Sequence, residues 1–429
     1  MRRKILLGQL RRSVAKNIAR VCLMLAILTT HPIQYQVPLW QAMAREGSVP
    51  FEVWYLSDHG TKDTLDEQFG KSFAWDLNML EGYPYRFLKV NANSNVNRFF
   101  GLRLGEPLKD LFREKQITAL WIQGWQVLAY WQAVWQAHAA GIPVWVRGES
   151  NDLEQTPLLQ SAIRRLALRQ LFKRIQHFLY IGTANRRLYE SYGIEAEQLH
   201  AAPYCVDNDR FSLQAEQYRP RRTAIRRAWN IPDDAFCILF VGKFIHKKRP
   251  WDIIAAARQP ILQNLGRPLH LLFVGSGELG NKLRSECRVV FDAEPSAKSP
   301  AQSQNGHGVL PAASFPGFLN QTDISKAYVA ADCMVLSSDS GETWGLVVNE
   351  ALASGLPCAT SDACGSTEDL IAPIDPGLPF VLGNTEDMSR ALNMLANQSR
   401  SATVWQESVA RFDLGASVAT IASLYKSTR

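Results

Sequence analysis

Two series of short apolar runs, each separated by stretches of helical period, organise this chain. The first comprises residues 21–28, 51–56, 85–90, 119–122, 143–146 and 177–181; the second includes 237–241, 271–274 and 333–336. Runs this short and this apolar predict buried strands, and helical segments between them predict parallel sheets wound on both faces. A chain of 429 residues carrying two such series is too long for one core and predicts two α/β domains. Trp131 and Trp135 fall at helical spacing with Val127, Leu128, Val134 and His138, which predicts core positions for both rings. Residues 404–424 read as amphipathic helix. Residues 293–314, rich in Ala, Ser, Pro, Gln and Gly, have little to bury and predict a mobile insertion.

Composition changes this picture in one respect. The chain is 46% hydrophobic and 20% charged, as globular proteins are, yet its formal net charge is +7. Arg2, Arg3, Lys4, Arg11, Arg12, Lys16 and Arg20 lie in residues 1–20 with no acidic partner, and without them 40 basic residues face 40 acidic ones. The charge therefore belongs to a basic tail and not to the folded body, which argues against a nucleic-acid partner. Such a tail is expected to make peripheral contact with anionic lipid. The apolar run 21–28 is too short to span a bilayer and lacks a small-residue cleavage pattern, so it reads as the first strand. Met24 is an alternative start, which would leave residues 1–23 outside the natural protein. Seven scattered cysteines with no Cys-x-x-Cys pair predict reduced thiols and a cytoplasmic protein, held at the inner face of the plasma membrane if the tail touches it.

Candidate chemistry gathers at strand ends. His31-Pro32-Ile33-Gln34-Tyr35, Gln123-Gly124-Trp125 and Arg147-Gly148-Glu149-Ser150 follow the first, fourth and fifth strands of the first series, so His31, Gln34, Trp125, Arg147 and Glu149 are expected to face a cleft. Arg147 and Glu149 equally read as an ion pair at its rim. Residues 66–85, with Trp75, Asp76 and Tyr83, supply aromatics for a groove or a packed surface excursion. In the second series Gly242-Lys243 closes one strand and Lys248 lies five residues on; cations so spaced can converge on a diphosphate, whereas Lys247 and Arg249 are expected to be exposed. Gly275-Ser276-Gly277-Glu278-Leu279-Gly280 has the form of a dinucleotide turn but follows the wrong strand for one and has no clear ribose carboxylate, which disfavours an oxidoreductase. Asp207-Asn208-Asp209 has the look of a metal motif, but no His, Cys or Asp cluster supports it, and no metal is expected.

The strongest signal is Ser340-Gly341-Glu342-Thr343-Trp344-Gly345, followed by Asn349-Glu350-Ala351. With Glu342 as the first residue of a helix, Glu350 would sit about 12 Å along the axis. Glycosidase carboxylates face each other at roughly 5–10 Å, so this pair suits the two ends of an extended ligand such as a nucleotide sugar. The segment from Glu342 to Glu350, continued by Ala351-Leu352-Ala353-Ser354-Gly355-Leu356-Pro357, resembles the Glu-x7-Glu signature of family 4 retaining glycosyltransferases. Phe315-Pro316-Gly317-Phe318 and Ala330-Ala331-Asp332 upstream, and Ser361-Asp362, Gly365 and Leu370-Ile371 downstream, extend the resemblance over most of the chain.

That resemblance implies a GT-B fold, two Rossmann-like domains facing each other across a cleft: tail 1–20, an acceptor-side domain 21–207, a nucleotide-sugar domain 208–402, and a last helix within 403–429 returning toward the first domain. It implies transfer of a sugar from a nucleotide-sugar donor, with retention and without a metal or other cofactor, to a glycan, lipid-linked or small-molecule acceptor. Glu342, Lys243 and Lys248 take the catalytic places. Glu350 takes the ribose, and Gly345, Leu346, Gly242, Gly275 and Phe318 line the donor site. Two departures stand out: Lys243 occupies a place where the family usually has arginine, and Arg147-Gly148-Glu149 lies where a histidine is common. The rival readings are a sugar-nucleotide epimerase or phosphorylase on the same scaffold, and a non-catalytic nucleotide-sugar binding module.

Overall fold

A computed structural model describes residues 23–61, 64–66, 71–73, 78–92, 98–153, 158–294, 310–398 and 400–428. The basic tail, Trp75 and Asp76 lie outside them. Two seven-stranded sheets carry the chain, and every strand pair within them is parallel. In the first sheet the strands run Leu199–Ala201, His177–Tyr180, Val144–Val146, Ile117–Ile122, Met24–Thr29, Phe51–Tyr55 and Tyr85–Phe87. In the second the order is Arg288–Asp292, Ala312–Gly317, Leu269–Val274, Phe236–Val241, Cys333–Leu336, Cys358–Ser361 and Pro379–Phe380. Central strands are buried on both faces, as their continuous apolar sequences require: Leu25, Ile27, Leu239, Met334 and Val335 are all in the core.

Each sheet has a central switch point, where the chain passes from one side of the sheet to the other. In the first sheet this lies between Met24–Thr29 and Ile117–Ile122, in the second between Phe236–Val241 and Cys333–Leu336. At such a switch point the loops leave the strand ends in opposite directions and open a crevice, so the fold presents two crevices, one per half. Contacts across the halves bring them together. Asn151 donates to the Thr343 carbonyl (3.1 Å), and Thr183 donates to Asp369 through both its amide (2.8 Å) and its hydroxyl (2.7 Å). Arg187, paired with Asp152 on its own half, also reaches Glu368 on the other.

Helix Ala402–Val409 buries Trp405 and Val409 in the core of the second half, whereas helix Leu414–Ser427 buries Val418, Ile421 and Tyr425 in that of the first. The Tyr425 hydroxyl donates to the Leu23 carbonyl at 2.5 Å, tying this helix to the start of the first strand. Among the described residues no helix is long and apolar enough to cross a membrane. The six described cysteines are all buried and free.

Several expectations change. The run 85–90 splits: Tyr85–Phe87 ends the sheet, and Val90–Ala92 pairs antiparallel with Leu102–Leu104. Trp135 is not core. Its helix, Leu128–Ala139, turns Ala129, Tyr130, Ala133, Val134 and Ala137 inward, and the ridge of Trp131 and Trp135 lies about 100° round from Tyr130 and Val134, leaving Trp135 45% exposed. Tyr83 packs in the first half's core, its hydroxyl 2.6 Å from that of Tyr55. The proposed insertion 293–314 ends sooner than composition suggested, because strand Ala312–Gly317 pairs on both sides within the second sheet; residues 295–309 lie outside the described ones. Asp207 serves as a helix N-cap, accepting from the Arg210 amide at 3.0 Å.

Candidate active site

At the switch point of the second sheet, the loops after Val241 and Leu336 meet. Gly242 and Gly275 lie so close that a Cβ on Gly275 would sit 2.0 Å from the Gly242 carbonyl oxygen, and Gly275 adopts a φ of +138° that side chains rarely take. The glycine-rich turn thus packs the ends of neighbouring strands together, with the Gly275 amide bonded to the Gly317 carbonyl at 2.9 Å. Phe318 follows directly on that strand and is half-buried.

Glu342 is not the first residue of a helix. It lies in a turn, its amide bonded to the Asp339 carbonyl (2.9 Å), and the helix begins only at Val347. The axial separation inferred from the sequence therefore does not apply, because the chain turns between the two glutamates: Gly345 takes a φ of +93°, and a Cβ there would sit 2.5 Å from Leu336. Leu346 follows as the helix N-cap and is buried. Lys248 forms an ion pair with Glu342, its ammonium against Oε2. Burial opposes charge on Glu342, but Lys248 and then Lys247 outweigh it and hold the carboxyl below its ordinary range. Lys247 is thus a half-buried member of this cluster, contrary to the expectation of exposure. Arg249 is also half-buried and pairs with Asp252 (2.7 Å). Lys243 lies half-buried at the end of the strand.

Glu350, on helix Val347–Ala353, is 2% exposed. Burial raises its pKa, against the pull of the Tyr328 hydroxyl, Arg210, Tyr35 and Gln321. Tyr328 donates to Oε2 at 2.5 Å, while Oε1 has no protein partner. Tyr35 comes from the first half, packs against the second half's core, and has its own phenol pushed well up by burial and by the Glu350 charge. Of the residues around Glu350, Tyr35 belongs to a loop that the sequence placed at a strand end, whereas Tyr328, 22 residues upstream on another helix, carried no signal of spacing.

The switch point of the first sheet opens a cavity of about 730 Å³. Gln123, Trp125, Glu149 and Thr30 line it, and Thr343 reaches it from the second half, one residue from Glu342. A Cβ on Gly148 would strike the Trp125 ring at 2.1 Å, so glycine is what lets that ring lie flat across the loop. Arg147 and Glu149 do not pair. The Arg147 guanidinium lies over the Tyr204 ring (5.1 Å) and donates to the Pro203 carbonyl (3.3 Å), while Glu149 accepts from the Tyr204 hydroxyl at 2.8 Å. His31 is not among the residues lining the cavity; its Nδ1 lies 3.0 Å from the Thr30 hydroxyl and its ring packs edge-on to His59. Burial, then His59, lowers its pKa to about 4, so it is neutral at pH 7. Gln34 lies beside Tyr35, with its Oε1 buried and without a protein partner. Phe99, which the sequence pattern did not mark, and Trp131 and Trp135, which it assigned to the core, form much of the cavity wall. Among the described residues no group of three or more His, Cys, Asp or Glu could hold a metal ion.

Two parallel-sheet halves with facing crevices, one carrying a paired carboxylate and lysine, define the GT-B class. The solved structures agree: a glycosyltransferase from Rickettsia africae superposes with a TM-score of 0.64 over 95% of this chain and 98% of its own, at 13% identity. Alr3699/HepE of Anabaena, in complex with UDP and glucose, gives 0.61 over 94% and 100%, at 15% identity. The family model of glycosyl transferases group 1 matches residues 221–411, and that of the glycosyl transferase 4-like domain matches residues 35–205. The chain belongs to the family 4 glycosyltransferases. A D-inositol 3-phosphate glycosyltransferase of Catenulispora acidiphila is 29% identical over 56% of this chain and 52% of its own length. A GDP-mannose-dependent alpha-mannosyltransferase of Mycobacterium tuberculosis is 30% identical over 42% and 38%. The match thus spans about half or less of these relatives' lengths.

Proposed function

We propose that the protein is a retaining, metal-independent glycosyltransferase that moves a hexosyl group from a nucleotide sugar to a hydroxyl of a sugar or lipid-linked acceptor. The observation that carries this is the Glu342–Lys248 pair at the second switch point, with Glu350 buried nearby and one of its oxygens without a protein partner. A relative named as GDP-mannose-dependent and a fold neighbour solved with UDP support a nucleotide-sugar donor.

In this reading the ribose hydroxyls donate to Glu350 Oε1. Lys243 and Lys248 meet the diphosphate, with the Gly345 and Leu346 amides beside it and Gly242, Gly275 and Phe318 around the nucleoside. Glu342, kept charged by its lysines, steadies positive charge at the anomeric carbon as the sugar–diphosphate C–O bond breaks. The acceptor oxygen forms the new bond on the same face, and its proton passes to the departing diphosphate oxygen. Lysine charge takes the place of a divalent ion, so turnover persists in EDTA. The contacts across the halves, such as Asn151 to Thr343, exclude water and limit donor hydrolysis.

Thermal unfolding against a panel of nucleotides and nucleotide sugars tests the donor site, since a ligand of the folded state raises the midpoint. Product analysis with labelled donor, with and without acceptor, tests the reaction. Anomeric retention in a glycoside supports the proposal; a rearranged nucleotide sugar, or phosphate-dependent release, would replace it with the epimerase or phosphorylase reading.

A further inference from the structure

The cavity of the first half is not built for a purely polar occupant. Its inner end is polar: Gln123 is buried with an Nε2 that has no protein partner, and Glu149 and Thr343 stand with it. A second wall is aromatic. Phe99 meets Trp131 edge-on at 5.8 Å, and Trp131 meets Trp135 at 6.0 Å. Trp135 lies about 10 Å along its helix from Leu128, which also lines the cavity, so the aromatic row leads away from the strand ends. Exposed apolar side chains flank the cavity. Phe100, packed against Phe99 at 5.0 Å, is 59% exposed. On helix Leu158–Phe172, Ala167 and Leu168 line the cavity, and Ile163, one turn before Ala167 on the same face, is 67% exposed.

We propose that the acceptor is an amphiphile, a hydroxyl-bearing head joined to an apolar aglycone, aromatic or hydrocarbon. The head sits among Gln123, Glu149 and Thr343, and the aglycone lies along Phe99, Trp131 and Trp135. This rests on the transferase reading for the word acceptor, but the ligand class follows from the cavity itself. A polar glycan extended along the aromatic row would lose water from its hydroxyls against Phe99, Leu168 and Trp135, with Gln126 and Arg164 the polar side chains of the lining left to bond them. An apolar body loses nothing there and covers surface that monomeric proteins seldom leave bare. Because Thr343 is bonded by Asn151 and adjoins Glu342, a head in the polar end brings its hydroxyl to the donor side.

The test uses the full chain without donor, titrated calorimetrically with methyl, hexyl and phenyl β-D-glucopyranosides below any micelle threshold. Hexyl or phenyl glucoside is expected to bind at least about tenfold more tightly than methyl glucoside. Trp135→Ala should erase that preference while leaving the thermal midpoint unchanged, since the ring is half in solvent; Phe99→Ala is the second variant. A stronger hexyl arm identifies a lipid-like aglycone and a stronger phenyl arm an aromatic one, and either supports the amphiphile. Equal binding of all three glucosides, or a preference that survives both variants, overturns it. Should the preference hold while no nucleotide sugar is ever turned over, the transferase reading fails and the ligand class stands.

Discussion

The two crevices of this molecule sit at equivalent points of two parallel sheets and hold opposite chemistries. On the second half, charge is concentrated and internally balanced: Glu342 against Lys248 and Lys247, Glu350 under Tyr328. On the first half the equivalent crevice is walled by Phe99, Trp125, Trp131 and Trp135, with a few polar groups at one end. Topology alone therefore fixes where a ligand can lie, and the side chains at each switch point fix what kind. The charged crevice suits a diphosphate-bearing molecule, whose binding is dominated by a few directed contacts. The aromatic one suits a partner recognised by shape and burial.

That contrast can be broken by substitution. The largest effect is expected from Glu342→Ala, which should lower kcat by roughly 10²–10³ or more, as loss of a group stabilising transition-state charge does, in a variant that still folds but with a lower thermal midpoint, because Lys248 loses its counter-charge. Single-turnover kinetics with circular dichroism check it, and near-native kcat would remove Glu342 from the chemistry.

Next comes Lys248→Ala, read through a pH profile. Glu342 has its pKa depressed in the folded protein, so its charge, and the stability it confers, are fully present above the ordinary glutamate value and are lost only as pH falls through the lowered one. Without Lys248, burial acts more strongly and the acidic limb of kcat should move to higher pH; an unmoved limb would show that Lys248 does not hold that carboxylate charged.

Glu350→Gln separates binding from stability. Burial raises the pKa of Glu350, so a neutral amide of the same shape should leave the midpoint equal or higher while weakening nucleotide binding by about tenfold, or ~1.4 kcal/mol. Unchanged nucleotide affinity would move the ribose elsewhere. Arg187→Ala should do least, below about 1 kcal/mol in a denaturant titration, because its pairs with Glu368 and Asp152 are exposed.

The charged crevice was legible in the sequence because its parts are local: the turn from Ser340 to Gly345 and the helix bearing Glu350 are consecutive, and Lys248 follows its strand by a short loop. The aromatic crevice was only half legible. Trp125 follows its strand directly, but Phe99 comes from a distant loop, and the ridge of Trp131 and Trp135 has the same period as the buried ridge beside it. Helical spacing says that residues share a face, not which face meets the sheet. Tyr35 at Glu350 was hidden for a similar reason: it reaches into the other half, and no pattern within one strand–helix unit reports that contact. The pairing imagined for Arg147 and Glu149 failed because Tyr204, 55 residues beyond Glu149, takes both.

The helix Leu414–Ser427 carries a consequence for engineering. Its Val418, Ile421, Ala422, Leu424 and Tyr425 complete a core whose other buried members all precede residue 203. A chimera that exchanges first halves between homologues at one junction near residue 207 would therefore inherit a mismatched plug. Successful exchange needs two junctions, the second between Val409 and Leu414, so that the borrowed half arrives with its own stopper.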